Sequence, residues 1–228
     1  VLPWEKKVPR IAVILDDAGG EAPDYKAIFC LGVPLTLSIL PNLPLTGKVA
    51  EKASAAHLEV MLHLPMEPNN GKYVRHDGSM ILTDMSSKEA KEIFLQDLKS
   101  IPNAVGFNNH MGSKATEDEK TVMAVMEAAK EKNLYFVDSR TSRTSAAYSI
   151  AKKVGLKAAK SSSFLDVQEI PLDIEEKFKE LIAKAKREGS AIGIGHATRK
   201  VTIEELKKLI GEAQALGIKF VYASELVR

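Results

Sequence analysis

Large rings are scarce in this chain: aromatic residues make up 6% of its 228 residues and there is one tryptophan, so few platforms exist on which a ligand could stack. Cysteine is scarcer. Cys30 stands alone, which excludes an intrachain disulfide and a multi-cysteine zinc knuckle and leaves the redox compartment open. An excess of one charge is also missing, because 32 Lys+Arg face 30 Asp+Glu for a net charge of +2, so no broad field favours nucleic acid and none is expected as a partner. Long apolar runs are absent. The longest, at 11–15 and 33–37, fall far short of the roughly 20 residues that span a bilayer, so no transmembrane segment is expected. Residues 1–10 (V-L-P-W-E-K-K-V-P-R) hold neither an initiator methionine nor the apolar core of a signal peptide and read as an N-terminal extension.

Apolar residues at 45% and charged residues at 27% are the proportions of a globular protein with a real core, and they exclude disordered or low-complexity classes. Short β-branched runs alternate with longer amphipathic ones. Strands are expected at 11–15, 35–40, 59–63, 104–107, 134–137, 156–159, 191–195 and 220–223, and helices at 23–31, 46–56, 87–100, 117–132, 145–154, 174–187 and 202–216. This alternation implies a parallel sheet with helices outside, closed as a barrel or open and doubly wound. No Gly/Ser-rich or Pro-rich linker and no internal repeat interrupts it, so residues 11–228 read as one domain. The local signals predict Ser87 as a plain N-cap, a capping box at Thr202 and Glu205, and burial of Cys30 within its helix. The stretch 66–83, rich in Pro, Gly and Asn, reads as a long loop of the kind that is usually functional.

In a parallel α/β fold, functional side chains gather where strands end and loops begin. Asp16-Asp17 follow the first strand, His63 ends the third, Asn108-Asn109-His110 follow the fourth, Asp138-Ser139-Arg140 the fifth and His196 the seventh. Singly, each has a plain structural explanation: the aspartates could cap a turn, a strand-end histidine is more often bonded structure than ligand, and Asp138 and Arg140 could form a local ion pair. Together they place two adjacent carboxylates and three imidazoles on one rim, the ligand set that zinc and similar metals prefer. His57, before its strand at the opposite edge, and His76, in the long loop, fall outside this group. Other chemistries fit poorly. The sequence G-I-G-H at 193–196 opens no phosphate loop, there is no G-x-S-x-G elbow, and adjacent carboxylates are too close for a glycosidase pair, which stands about 5 Å or more apart. A metal-activated water is the chemistry that remains.

The motifs I-L-D-D-A-G-G, L-S-I-L-P, L-H-L-P-M-E, N-N-H-M-G-S, F-V-D-S-R-T-S, S-S-S-F-L-D and I-G-I-G-H-A follow one another along the chain. In this order the chain resembles the divergent polysaccharide deacetylases, a branch related to the carbohydrate esterase family 4 (NodB-homology) enzymes, over about residues 8–228. The resemblance implies an α/β fold, a single-domain distorted (β/α) barrel of about seven parallel strands, and metal-dependent de-N- or de-O-acetylation of a glycan. By motif position it implies Asp16 as general base, Asp17 and His63 as ligands of a divalent metal, with zinc preferred, and His196 as general acid. Two departures stand out. The second metal histidine expected four residues after His63 is Glu67, so the third ligand is either His110, which we favour because Pro65 distorts the local backbone, or Glu67 itself. Asn108-Asn109-His110 occupy the place of the Arg-Pro loop that holds the base, and Arg140 is the expected substitute for that arginine. Asp138 or Asp166 is expected to orient His196, with Asn108, Asn109, Ser139, Thr141, Glu67 and Asp166 around the substrate. A catalytically weak or inactive glycan-binding envelope protein is the alternative. Because a glycan polymer lies outside the cytoplasmic membrane, the resemblance also implies export to the periplasm or cell exterior, on a signal segment upstream of Val1.

Overall fold

The computed structural model describes residues 8–21, 24–69 and 79–228. The first half runs β1 (Arg10–Ala18), α1 (Tyr25–Phe29), β2 (Thr36–Ile39), α2 (Thr46–Ala55), β3 (Glu59–Met66), α3 (Ser87–Lys99), β4 (Gly106–Met111) and α4 (Glu119–Glu131). The second runs β5 (Tyr135–Asp138), α5 (Ala147–Lys153), β6 (Ala158–Lys160), β7 (Ser163–Phe164), α6 (Pro171–Glu188), β8 (Ser190–His196), α7 (Lys200–Ala215) and β9 (Lys219–Phe220). Every pairing is parallel, in the order β6-β5-β4-β3-β2-β1-β8-β7, with β9 added beside the start of β1. All strand ends therefore meet at one rim, as in a (β/α) barrel.

The path holds eight strands rather than about seven, because β7 is two residues long and carries no sequence signal of its own. It matters for closure. The outer strands β6 and β7 are consecutive in the chain, and the two residues between them bridge the edges: Ser161 N–H donates to the Asp138 carbonyl (2.9 Å) and Ser162 N–H to the Ile192 carbonyl (2.7 Å). The chain itself closes the seam, which distorts the barrel there.

Alternation along the strands sorts side chains into two cores. Ile11, Val13 and Leu15 of β1, Val60, Leu62 and Leu64 of β3, and Phe136 of β5 pack outward against the helices. Ala12, Ile14, Met61, Tyr135, Val137, Ile192 and Ile194 fill the interior. Gly106 completes that interior, since a β-carbon there would lie 2.5 Å from the Tyr135 ring. Continuing the interior lines by steps of two reaches Asp16, His63, Asn108, His110 and His196. The same periodicity puts Asn109 and Asp138 on the outward face.

Several local expectations are corrected. The N-cap of α3 lies one residue earlier than expected, at Ser86 rather than Ser87, and it is not a plain cap but a capping box with Glu89. Helix α7 starts at Lys200 without a side-chain cap, and Thr202 is buried inside its first turn with a different partner. Cys30 is exposed, because α1 spans only five residues and Cys30 terminates it. Strand β3 runs on to Met66, which bridges Ile81, so the long loop is tied back at its base. Residues 70–78 of that loop, with His76, and residues 1–7 of the N-terminal extension lie outside the described residues. No described helix is long and apolar enough to cross a membrane.

Candidate active site

Asp17, His63 and His110 converge at the rim. Asp17 Oδ1 lies 3.2 Å from His63 Nε2 and 3.0 Å from His110 Nδ1, and the two ring nitrogens are 3.0 Å apart. Strand parity alone would turn Asp17 outward. It returns because the β1–β2 register slips between Leu15 and Ala18 and Asp17 adopts a φ of 61°, a bulge that re-aims its side chain. Asp17 Oδ1 is buried without a donor in good hydrogen-bond geometry. Three ligand atoms facing one another at 3.0–3.2 Å match the edge of a tetrahedron with ligands about 2 Å from a central ion, so the donor set fits a divalent metal.

The charges agree with that reading. Burial pushes the Asp17 carboxyl up, but the His110 and His63 rings outweigh it and hold the group well below the usual carboxylate range. Burial pushes His63 down, yet Asp16 and Asp17 together raise it to about 9, whereas His110 is lowered by burial in spite of Asp17. Without a metal, His63 therefore carries a proton where an ion would sit.

Asn108, fully buried, joins His63 to the neighbouring acid. Its Nδ2 donates to Asp16 Oδ1 (2.9 Å), and its Oδ1 meets His63 Nδ1 (2.7 Å) and accepts from Ser38 Oγ (2.7 Å). Asp16 requires a donor, which fixes the amide orientation, and the amide oxygen then requires the proton of His63 on Nδ1. When the second proton of His63 leaves, it is the lone pair of Nε2 that faces Asp17 and His110. Asp16 lies 3.6 Å from that nitrogen, and burial raises its pKa in spite of His63 and Asn108.

The parallel register sets Asp16 beside His196. His196 Nδ1 lies 2.8 Å from Asp166 Oδ1, while Asp166 Oδ2 accepts from the His196 N–H (2.8 Å) and from Thr202 Oγ1 (2.7 Å). Gly195 permits this close approach of α7, since a β-carbon there would lie 3.0 Å from the Thr202 methyl. Burial opposes the charge on His196, but its bond to Asp166 outweighs that and raises its pKa. Phe164 stacks parallel to the ring at 6.2 Å.

Other expected residues have different places. Asp138 is buried on the outward face, accepting from Arg140 N–H (2.8 Å) and Ser145 Oγ (2.9 Å), so Asp166 is the carboxylate against His196. Arg140 is exposed, and the contact to Asp16 expected of it is made by Asn108. Glu67 is not in the converging trio: Oε1 binds Lys114 (2.7 Å) and Oε2 accepts from the Thr83 N–H and hydroxyl (2.8 and 2.7 Å). Asn109 is buried, accepting from Ser139 N–H (3.0 Å) and donating to the Met111 carbonyl (2.7 Å) and Thr141 Oγ1 (3.2 Å). Asn108, Asn109, Asp166 and Ser139 are thus buried supports beneath the rim, and Thr141 is half-buried beside it. The link from Asn108 to His63 was missed in the sequence, although both continue the interior lines of neighbouring strands.

The divergent polysaccharide deacetylase family model matches residues 13–227. The YibQ protein of Escherichia coli K12 is 33% identical over 201 residues, which are 88% of this chain and 62% of that protein. The chain thus spans under two thirds of that relative. A crystal structure of a protein from Agrobacterium tumefaciens C58 superposes with a TM-score of 0.87 at 23% identity, covering 99% of this chain and 92% of that one. A family 4 carbohydrate esterase from Streptomyces lividans shares the fold at a TM-score of 0.53 and 12% identity, over 93% of this chain and 91% of the other.

Proposed function

The chain belongs to the divergent polysaccharide deacetylase family, and on that footing we propose that it is a metal-dependent hydrolase that removes acetyl groups from a glycan. The observation that carries this reading is the convergence of Asp17, His63 and His110 beside a buried acid, Asp16, and a carboxylate-bound imidazole, His196. The trio would hold the ion, for which zinc suits the donor set; such an ion lowers the pKa of a bound water and polarises the acetyl carbonyl.

The chain's own groups do the rest. Asp16, made more basic by burial and held by Asn108, takes the proton of the attacking water at its carboxylate. His196, with Nδ1 bonded to Asp166 and its pKa raised, keeps a proton on Nε2 for the departing amine or hydroxyl. Asn108 fixes His63 in the tautomer that a metal requires. The cell envelope is the place of action that a polymeric glycan implies.

Acetate release from acetylated chito-oligosaccharides and from peptidoglycan tests the reading. Release that stops with a chelator and returns with added zinc is the expected result. If metal-loaded protein binds these glycans and releases no acetate, the hydrolase reading gives way to a glycan-binding envelope protein.

A further inference from the structure

The turn after β5 places an arginine, Arg140, beyond the strand end at the rim. Arg140 has a φ of 58°, in the left-handed region where a β-carbon crowds the backbone and glycine or asparagine is the usual occupant. The turn is pinned on every side. The buried Asp138 carboxylate holds the Arg140 N–H, Ser139 N–H donates to Asn109 Oδ1, and Thr141 Oγ1 donates to the Met111 carbonyl at 2.7 Å. Asn109 and Met111 flank His110 in the chain, so the turn is fastened to the strand end that supplies a metal ligand. Its central residue is nevertheless exposed.

Among the described residues no carboxylate pairs with Arg140, nor with Arg143 on the same loop. The neighbouring acid Glu117 is engaged by the hydroxyls of Ser142 and Thr144. Both arginines are exposed, so neither is held to the fold by an ion pair with these acids. Instead the backbone accepts an unfavourable conformation and two buried polar side chains support it, a pattern of strain held in place that recurs at binding sites.

We propose that Arg140 anchors an anion subsite at the lip of the metal centre, so that the glycan taken there carries an acidic group, a carboxylate or a phosphate. This rests on the deacetylase reading and adds the charge of its substrate. A planar guanidinium grips either anion through two parallel N–H bonds, and Arg143 adds a second positive charge on the loop.

The test is titration calorimetry of the zinc-loaded full chain with three N-acetylated disaccharides: one bearing a carboxylate, its methyl ester, and one bearing a phosphate monoester. At least one acidic sugar should bind about tenfold or more tightly than the ester. Whichever acid is preferred identifies the group. Arg140→Gln and Arg140→Gly should bring all three to parity with zinc affinity unchanged; glycine suits the backbone, so its variant removes the charge without straining the turn. Equal affinities in the wild type, a preference retained in Arg140→Gly, or no binding of any of the three overturns the subsite. Acetate release in the same samples separates the two readings: release without charge preference leaves the deacetylase standing alone, and preference without release keeps the subsite and counts against the deacetylase.

Discussion

Both mouths of the barrel hold acids, but their surroundings differ. At the lower mouth, Glu59 opens β3 and its Oε1 accepts from Thr36 Oγ1 (2.9 Å), Tyr135 OH (2.7 Å) and Ser224 N–H (3.1 Å). The C-terminal segment closes this end, with Ala223 N–H donating to Thr36 Oγ1 (3.0 Å). Every group there has a neutral partner, and the acid is structural. At the upper mouth, the acids face imidazoles, one carboxylate oxygen is buried without a proper donor, and the lone pairs converge. A half-buried acid saturated by donors holds a fold together, whereas one confronting other ligand atoms is poised for a cation or a proton.

Substitutions at the two mouths should therefore differ in kind. The largest effect is expected at the upper one: Asp16→Asn and His196→Ala should each lower turnover by about 10²- to 10⁴-fold while zinc stays bound, measured as acetate release beside metal content. Turnover unchanged in either variant removes the role given to that residue. Next comes Asn108→Ala, which frees the His63 tautomer and should weaken zinc binding about 10- to 100-fold, read by competition with a chromogenic chelator. Unaltered affinity would make Asn108 a packing residue only.

The pH response sharpens the contrast. His63 is raised to about 9 from 6.5, so its contribution to the stability of the metal-free chain is full below pH 6.5 and is lost as pH rises through 9. The lowered Asp17 acts at the other end, contributing above its ordinary carboxylate range and losing that contribution as pH falls. Zinc must displace the His63 proton, so its affinity should climb about tenfold per pH unit between 7 and 9 while the Tm of the metal-free chain falls. A zinc affinity flat across that interval contradicts the competition between zinc and the His63 proton. The smallest effect belongs to the lower mouth, where Glu59→Gln should cost about 1 kcal/mol in denaturant unfolding and leave zinc binding untouched.

Much of the upper mouth is readable in the sequence, because alternation from apolar anchors such as Ala12, Ile14 and Met61 extends to Asp16 and His63 at the strand ends. The same rule, applied to Tyr135 and Val137, would have turned Asp138 away from His196. Asp17 was legible as a strand-end acid, but its role as a ligand came only through its motif, since its return to the site depends on a bulge and a positive φ that no periodicity announces. Asn108 stood in view, but an amide's partners lie on other strands and are set by register. Thr202 and Glu205 have the spacing of a capping box, yet Thr202 serves Asp166, because the tertiary contact past Gly195 outweighs a local cap. The two-residue β7 is defined wholly by its neighbour β8.

The central claim is that the upper mouth is a metal site built from Asp17, His63 and His110, and metal stoichiometry tests it most directly. Zinc measured by elemental analysis after equilibrium dialysis should amount to one ion per chain in the wild type and in Glu67→Ala, and fall to background in His63→Ala and His110→Ala, with all variants folded by circular dichroism. Full occupancy in His110→Ala, or loss of zinc in Glu67→Ala, would contradict the assignment.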